Sequence, residues 1–232
     1  MLKDVFMALS KNQLLTSAAK KYGLKLGAQT VVAGTNVEET IKSIRELNAQ
    51  GISATVDNLG EFVFFLFEAL KAKDSILEVI EAIHANGVDA HISLKPTQIG
   101  LDIDYDFCYE NLLEIVAAAS KYDMHINLDM EDYGHLQPSF DLMDKLTENY
   151  SNVGTVIQAY FYRAQDDIEK YKDMRLRIVK GAYKEAVENA YQTKEEIDAN
   201  YIKLIEYHLL NGKFSSIATH DHHVINHVKK FV

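Results

Sequence analysis

Short apolar segments recur along the chain, and each of them ends beside a polar or charged residue. They cover residues 52–56 before Asp57, 90–94 before Lys95, 125–128 before Asp129, 155–157 before Gln158, 178–179 before Lys180 and 216–218 before Thr219. Parallel strands that are buried on both faces form continuous apolar runs of this kind. The segments therefore predict the strands of a parallel sheet.

The stretches between these segments show the spacing of apolar residues that is typical of helices. They cover residues 37–48, 75–85, 109–121, 140–148 and 195–210. Asn36 stands where it can cap the first of these helices, and Glu38 and Glu39 follow in its first turn. Strands that alternate with helices predict βα units with right-handed crossovers. Residues 1–34 also have helical spacing, so helices are expected ahead of the sheet.

Two architectures are built from such units, the doubly wound sheet and the (β/α)8 barrel. In a barrel, functional side chains come from the C-terminal ends of many strands and meet at one mouth. A doubly wound sheet gathers them at one switch point, and no Gly-x-Gly-x-x-Gly fingerprint follows the first predicted strand. We therefore predict an α/β fold of the (β/α)8 TIM-type class. About six strands are predicted and a closed barrel of this type has about eight, so an incomplete barrel is expected.

Composition and charge exclude several classes of protein. The 232 residues are 47% hydrophobic and 25% charged, which suits a single globular domain over residues 1–232. The net charge of −10 argues against a nucleic-acid partner. The sequence shows no signal peptide and no apolar run long enough to cross a membrane. Cys108 is the lone cysteine and cannot form an internal disulfide, so a reducing, cytoplasmic compartment is expected.

The longest apolar run covers residues 62–67 and follows Glu61. One interpretation is the start of a helix that is packed under a loop. The other is an exposed apolar patch that contacts a partner or a membrane surface. A peripheral position at the inner face of the membrane is therefore an open alternative.

The segment from Arg177 to Tyr183 places two cations around a short apolar strand. Buried charges are costly unless they are paired or used, so Arg177 and Lys180 indicate a bound anion or an electron-rich ring. An edge strand with solvated ends is the alternative. A separate group of histidines at positions 220, 222, 223 and 227 raises the question of a metal. No cysteine or well-placed acid completes such a site, and no metal is predicted.

Five segments together resemble one family. They are residues 93–101, 127–131, 158–160, 177–183 and 218–221, and their order and spacing are similar to those of the flavin-dependent proline dehydrogenases. The similarity is greatest to the short monofunctional bacterial type and extends over residues 28–221. It implies a distorted (β/α)8 barrel with FAD at its mouth, oxidation of L-proline to 1-pyrroline-5-carboxylate, and transfer of the electrons to a membrane quinone.

The resemblance also implies roles for individual residues. On the cofactor side, Arg177 would lie at the flavin N5 edge, Gln158 would hydrogen-bond the ring, and Asp129 and Met130 would lie beside cofactor and substrate. The remaining cofactor-binding residues it implies are Val179, Gly181 and Ala182 along the flavin, and Thr219, His220 and Asp221 on the ribityl, phosphate and adenosine side.

Other residues are implied on the substrate side. Lys95 would pair with the proline carboxylate, and Glu61 would close the site through an arginine on the family's last helix. Tyr183 is added as a candidate catalytic residue beside Asp129. The chain departs from the family at Lys184, where an aromatic residue is frequent, and at Asp221, where asparagine is frequent.

Two other functions remain open from the sequence. A Schiff-base lyase could use Lys95 or Lys180 as an imine-forming amine, provided that its pKa is lowered. A truncated barrel that only binds flavin or oligomerises is the second alternative, because the family's last two βα units and their adjacent arginine pair have no counterpart before Val232. The oligomeric state is not predicted.

Overall fold

The computed structural model describes residues 33–232, which form a parallel sheet with helices between its strands. The strands are β1 (Ala54–Asp57), β2 (Ala90–Leu94), β3 (Ile126–Leu128), β4 (Val153–Gln158), β5 (Arg175–Val179) and β6 (Phe214–Ile217). The helices are α1 (Val37–Asn48), α2 (Leu66–Asn86), α3 (Tyr105–Ser120), α4 (Tyr133–Thr147), α5 (Ala164–Lys170), α6 (Lys194–Asn211) and α7 (His222–Phe231), with a 3-10 turn at Pro96–Ile99. The helical structure predicted over residues 1–34 falls almost wholly outside the described residues.

The six strands are neighbours in the order in which they occur along the chain, from β1 to β6. The pairings of β2 with β3, β3 with β4, β4 with β5 and β5 with β6 are all parallel. Each connection between these strands therefore carries the chain back to the same edge, and their C-termini lie together. The prediction of a parallel sheet of six strands is confirmed.

The chain divides into two compact units. Of the described residues, 33–54 and 85–89 belong to one unit, and Thr55–His84 with Ala90–Val232 form the other. In the first unit, α1 begins at the predicted cap, where the Asn36 side chain accepts a hydrogen bond from the Glu39 amide. The second unit contains the predicted site residues. Assignment of residues 1–232 to one catalytic domain stays a prediction.

Burial follows the expected pattern for a covered parallel sheet. All residues of β3 and β4 are buried, whereas the edge strand β6 has no buried residue. Helix α3 supplies one apolar stripe with a spacing of three to four residues. The stripe consists of Cys108, Leu112, Ile115, Val116 and Ala119, all of them fully buried.

Helix α2 begins at Leu66, within the apolar run of residues 62–67 that was predicted to open a helix. The first residues of the run are not helical, and Phe62 has a φ of 53°, which lies in the left-handed region. The aromatic side chains of Phe64, Phe65 and Phe67 are exposed by 61–68%. The interpretation as an exposed patch is the one that the structure supports. Within residues 33–232, no helix is both long and apolar enough to span a membrane.

Tyr201 on α6 joins that helix to the ends of two strands. Its side chain is fully buried, and its hydroxyl lies 3.0 Å from the Ile178 carbonyl oxygen and 3.2 Å from that of Ala218. Burial raises the pKa of Tyr201 to about 12, so the hydroxyl keeps its proton and acts as a donor. The contact ties α6 to the C-terminal ends of β5 and β6.

We predict that Tyr201→Phe lowers the free energy of unfolding by about 1–2 kcal/mol, because it removes a buried donor and leaves two carbonyl groups without it. Urea unfolding measures the change. Tyr122→Phe is the matched control, since the Tyr122 hydroxyl bonds to Glu81 in an exposed position. The control should change the same free energy by less than about 0.5 kcal/mol. Equal losses in the two variants would contradict the role given to Tyr201.

Candidate active site

A cavity of about 480 Å³ lies at the C-terminal ends of the strands. Its lining contains every predicted site residue except Glu61 and Asp221, and it adds Val156, Lys180 and Ala218. The predicted residues in the lining are Lys95, Asp129, Met130, Gln158, Arg177, Val179, Gly181, Ala182, Tyr183, Thr219 and His220. The structure thus brings together side chains that are more than 120 residues apart in sequence.

The centre of this site is an ion pair between Asp129 and Arg177. Arg177 Nη1 donates to Asp129 Oδ1 over 2.7 Å, and both side chains are more than 80% buried. The same carboxylate oxygen accepts from Ser93 Oγ at 2.8 Å and from Asn127 Nδ2 at 2.9 Å. Burial raises the pKa of Asp129, and Arg177 and the Ser93 hydroxyl oppose that rise. Three donors on one oxygen hold the carboxylate in a single position.

Ser93 and Asn127 were missed by the sequence reasoning. Both are buried, and they are paired neighbours on β2 and β3. A signal was present, because each stands two residues before a predicted site residue, Lys95 or Asp129. Alternate residues of a strand share a face, so a polar residue at that position inside an apolar run points to the same side as the functional residue.

Lys95 lies between two carboxylates. Its Nζ is 3.3 Å from Asp57 Oδ2 and 3.8 Å from Asp129 Oδ2. Burial lowers the pKa of Lys95, but the charges of Asp57 and Asp129 outweigh burial, and the net shift is upward. The ammonium group is therefore charged at neutral pH.

Lys180 is held in a second cluster of charges. Its Nζ lies 2.5 Å from Asp198 on α6 and 2.8 Å from Asp221, which caps α7. Hydrogen bonding by Lys180 lowers the pKa of Asp221 to about 2. Burial opposes the charge on Lys180, yet the two acids raise its pKa overall. A Schiff-base lysine needs a lowered pKa, so the structure does not support the lyase alternative.

The wall between β4 and β5 is formed largely by main chain. The Ala159 amide donates to the Val179 carbonyl and the Tyr160 amide donates to that of Lys180, at 2.8 and 2.9 Å. Gly181 has a φ of 117°, and a Cβ there would lie 2.5 Å from the Tyr160 ring. Only glycine fits, and it allows the backbone to turn along the cavity.

Two predicted residues are placed at the rim of the site. The Tyr183 hydroxyl donates to Glu61 Oε2 over 3.2 Å, although the two residues are far apart in sequence. Burial, together with the charge of Glu61, raises the pKa of Tyr183.

Across residues 33–232, no group of three His, Cys, Asp or Glu side chains could hold a metal ion.

Comparison with known proteins agrees with this geometry. The model of the proline dehydrogenase family matches residues 40–232. Proline dehydrogenase 1 of Bacillus subtilis subsp. natto is 40% identical over all of this chain and 78% of its own length. Proline dehydrogenase of Deinococcus radiodurans is 35% identical over 88% of this chain and 68% of its own.

The chain belongs to the proline dehydrogenase family. It is an enzyme of the short monofunctional type, and membership of the family implies proline as substrate and a flavin as cofactor.

Solved structures show the fold of this proline dehydrogenase family member. The chain superposes on proline utilization A of Bdellovibrio bacteriovorus with a TM-score of 0.83 at 22% identity, over 94% of this chain and 28% of that one. That structure is of the enzyme inactivated by N-propargylglycine. The superposition confirms the predicted incomplete TIM-type barrel.

We predict that Asp129 and Arg177 are energetically coupled. Breaking a largely buried pair leaves one charge uncompensated, so each single variant, Asp129→Asn or Arg177→Met, should lose unfolding free energy. The double variant should lose about 1–3 kcal/mol less than the sum of the two single losses. Urea unfolding of the four proteins measures this coupling.

The exposed pair of Lys170 and Asp144, 2.8 Å apart, provides the control cycle with Lys170→Met and Asp144→Asn. Its coupling should be below about 1 kcal/mol. If the Asp129–Arg177 cycle were additive to within about 0.5 kcal/mol, the pair would not be a unit.

Proposed function

We propose that the chain binds FAD in the cavity at the strand ends and oxidises L-proline to 1-pyrroline-5-carboxylate, with a quinone as electron acceptor. One observation carries the proposal. A fixed guanidinium (Arg177), an amide (Gln158), an ammonium group (Lys95) and the main chain of residues 179–182 line the same cavity. These are the groups that the resemblance assigns to flavin and proline.

The donor set fits a flavin. The cavity volume lies within the range of about 300–1,000 Å³ that is common for cofactor sites. Arg177 offers a positive charge, and the Gln158 amide can both donate and accept at a heterocyclic ring edge. Thr219 and His220 line the cavity beyond β6, where the resemblance places the ribityl and phosphate groups. When it is bound, the flavin supplies the hydride acceptor.

Arg177 contributes a charge that is already oriented. Its guanidinium is held by Asp129 and Ser93 before any ligand arrives. Such a preorganised group stabilises negative charge that develops during a reaction without first having to move. This is the property required at the edge of a ring that accepts electrons.

Lys95 suits the carboxylate of an amino acid. A lysine has three donors, and Lys95 makes one hydrogen bond, to Asp57, with a looser contact to Asp129. The other N–H groups of Lys95 remain available to donate to a substrate carboxylate. The ammonium group beside the Asp129 carboxylate also gives neighbouring charges of opposite sign, which match a zwitterion.

The proposal places the enzyme at the cytoplasmic face of a membrane that contains its quinone. The exposed aromatic residues Phe64, Phe65 and Phe67 support contact with an apolar surface. The net charge of −10 gives no attraction to anionic lipids, so this contact would be apolar rather than electrostatic.

We predict that the purified protein is yellow and that the cofactor released from it by heat is FAD rather than FMN. Anaerobic addition of L-proline should bleach the flavin absorption, and D-proline should not. Lys95 and Asp129 would hold the carboxylate and the amine, and the hydrogen on Cα would have to face the flavin, so three points are fixed and the D-isomer cannot match all of them. Absorbance and chromatography of the released cofactor provide the measurements. A colourless protein that takes up no FAD would refute the assignment.

We predict that Lys95→Met weakens proline binding by about 10- to 100-fold, the loss that follows removal of a charge-assisted hydrogen bond. The FAD content should be unchanged. Titration of bound flavin with proline measures affinity, and absorbance measures FAD.

Lys73→Met is the control, since Lys73 is mostly buried and paired with Glu114 on the helical layer rather than in the cavity. It should leave proline binding unaltered. Loss of FAD from Lys95→Met would move Lys95 to the cofactor site and overturn its proposed role.

A further inference from the structure

Glu131 is a fully buried carboxylate that does not line the cavity. Its Oε1 accepts a hydrogen bond from the Thr97 amide at 3.1 Å, and its Oε2 accepts one from the Thr97 hydroxyl at 2.5 Å. A buried carboxylate is costly even when it is satisfied in this way. Two bonds to a single residue indicate that the position of Thr97 is what Glu131 fixes.

Thr97 in turn holds the loop of residues 58–63. Its hydroxyl oxygen accepts a hydrogen bond from the Phe62 amide at 3.0 Å, and its carbonyl oxygen accepts one from the Val63 amide at 3.1 Å. Since the hydroxyl gives its proton to Glu131, its lone pairs remain for Phe62. The neighbouring Gln98 side chain donates to the Asn58 carbonyl at the start of the same loop.

These bonds act on a strained backbone. Phe62 has a φ of 53°, a conformation that costs a residue with a side chain about 1–3 kcal/mol. Such a conformation persists only where its surroundings enforce it. The Thr97 hydroxyl makes the hydrogen bond to the amide of this strained residue, so it is well placed to enforce the conformation.

The loop and the cavity wall meet through Glu131. The main-chain oxygen of Glu131 accepts a hydrogen bond from Gln158 Nε2 at 2.8 Å. On the loop, Glu61 directly precedes Phe62, and its carboxylate accepts from the Tyr183 hydroxyl at the cavity rim. Glu131, which follows β3, therefore contacts both Gln158 in the cavity wall and Thr97, which holds the loop that carries Glu61.

We propose that Thr97 and Glu131 are positioning residues that set the conformation of the 58–63 loop, and through it hold Glu61 at Tyr183 on the rim of the cavity. Neither residue lines the cavity. The effect on the loop follows from the contacts alone. The consequence for proline binding rests on the proposed function.

The experiment compares Thr97→Val with wild type. Valine keeps the shape of threonine but removes the hydroxyl, so the Phe62 amide and Glu131 Oε2 each lose a partner. Hydrogen exchange of the Phe62 amide, resolved by NMR or by fragmentation mass spectrometry, should accelerate by about tenfold or more. Amides of β3 and β4 should keep their wild-type exchange rates.

Two further variants separate positioning from general destabilisation. Thr97→Ser keeps the hydroxyl and should restore wild-type exchange at Phe62. Thr147→Val removes a hydroxyl that donates to the Asp144 carbonyl at the end of α4, far along the chain from the loop. It should leave Phe62 unaffected. Unchanged exchange at Phe62 in Thr97→Val, or an equal increase in Thr147→Val, would overturn the proposal.

Steady-state kinetics test the functional consequence. Thr97→Val should raise KM for proline by about tenfold with little change in kcat, the signature of lost uniform binding, and Thr97→Ser should recover KM. If wild type turns over proline and Thr97→Val has the same KM, the link from Thr97 to the substrate is wrong. If wild type does not turn over proline, the proposed function fails, whereas the exchange result still decides whether Thr97 positions the loop.

Discussion

The ion pair between Asp129 and Arg177 is the interaction on which the site depends. A guanidinium this deeply buried needs a partner, and Asp129 reaches it only because β3 and β5 end at the same edge of the sheet. Ser93 on β2 and Asn127 on β3 add hydrogen bonds to the same carboxylate oxygen. The position of the Asp129 carboxylate is thus fixed from three strands, and a shift of register between β3 and β5 would separate it from Arg177.

The other two cations of the cavity, Lys95 and Lys180, are also paired with carboxylates. Lys95 is neutralised by Asp57 and Asp129, and Lys180 by Asp198 and Asp221. The acids hold the lysines charged, as their raised pKa values show. This arrangement suits electrostatic binding of ligands and is the reverse of what covalent amine chemistry requires. Pairing also reconciles a cation-lined cavity with a chain of net charge −10.

Hydrogen bonds between the segments that follow successive strands extend from the cavity wall to its rim. The 58–63 loop after β1 is held by Thr97 after β2, Thr97 by Glu131 after β3, and Glu131 is bonded by Gln158 at the end of β4. Because neighbours in the sheet are also neighbours in sequence, each connection needs only one or two side chains. The barrel topology therefore supports the cavity from outside as well as lining it.

Much of the fold could be predicted from the sequence, because local patterns determine it. Apolar runs predicted the six strands, and Asn36 with Glu39 marked the start of α1. The site residues at the strand ends were found through family resemblance, and the structure places most of them around one cavity. For residues 62–67 the sequence left two interpretations open, and the structure supports the exposed patch. The positive φ of Phe62 could not be predicted, because it is supported by a tertiary hydrogen bond to Thr97.

The supporting residues could not be predicted in the same way. The side chains of Ser93, Thr97 and Glu131 bond to residues at least 34 positions away, and the side chain of Asn127 bonds to Ser93 at the same distance as well as to nearby Asp129. Strand periodicity shows which face a side chain takes, but strand register and the curvature of the sheet decide which side chain it meets. The sequence alone therefore determined the strands, the helices and the kinds of chemical group present. Tertiary structure decided which of these groups are paired, and with that which charges are fixed in place around the cavity.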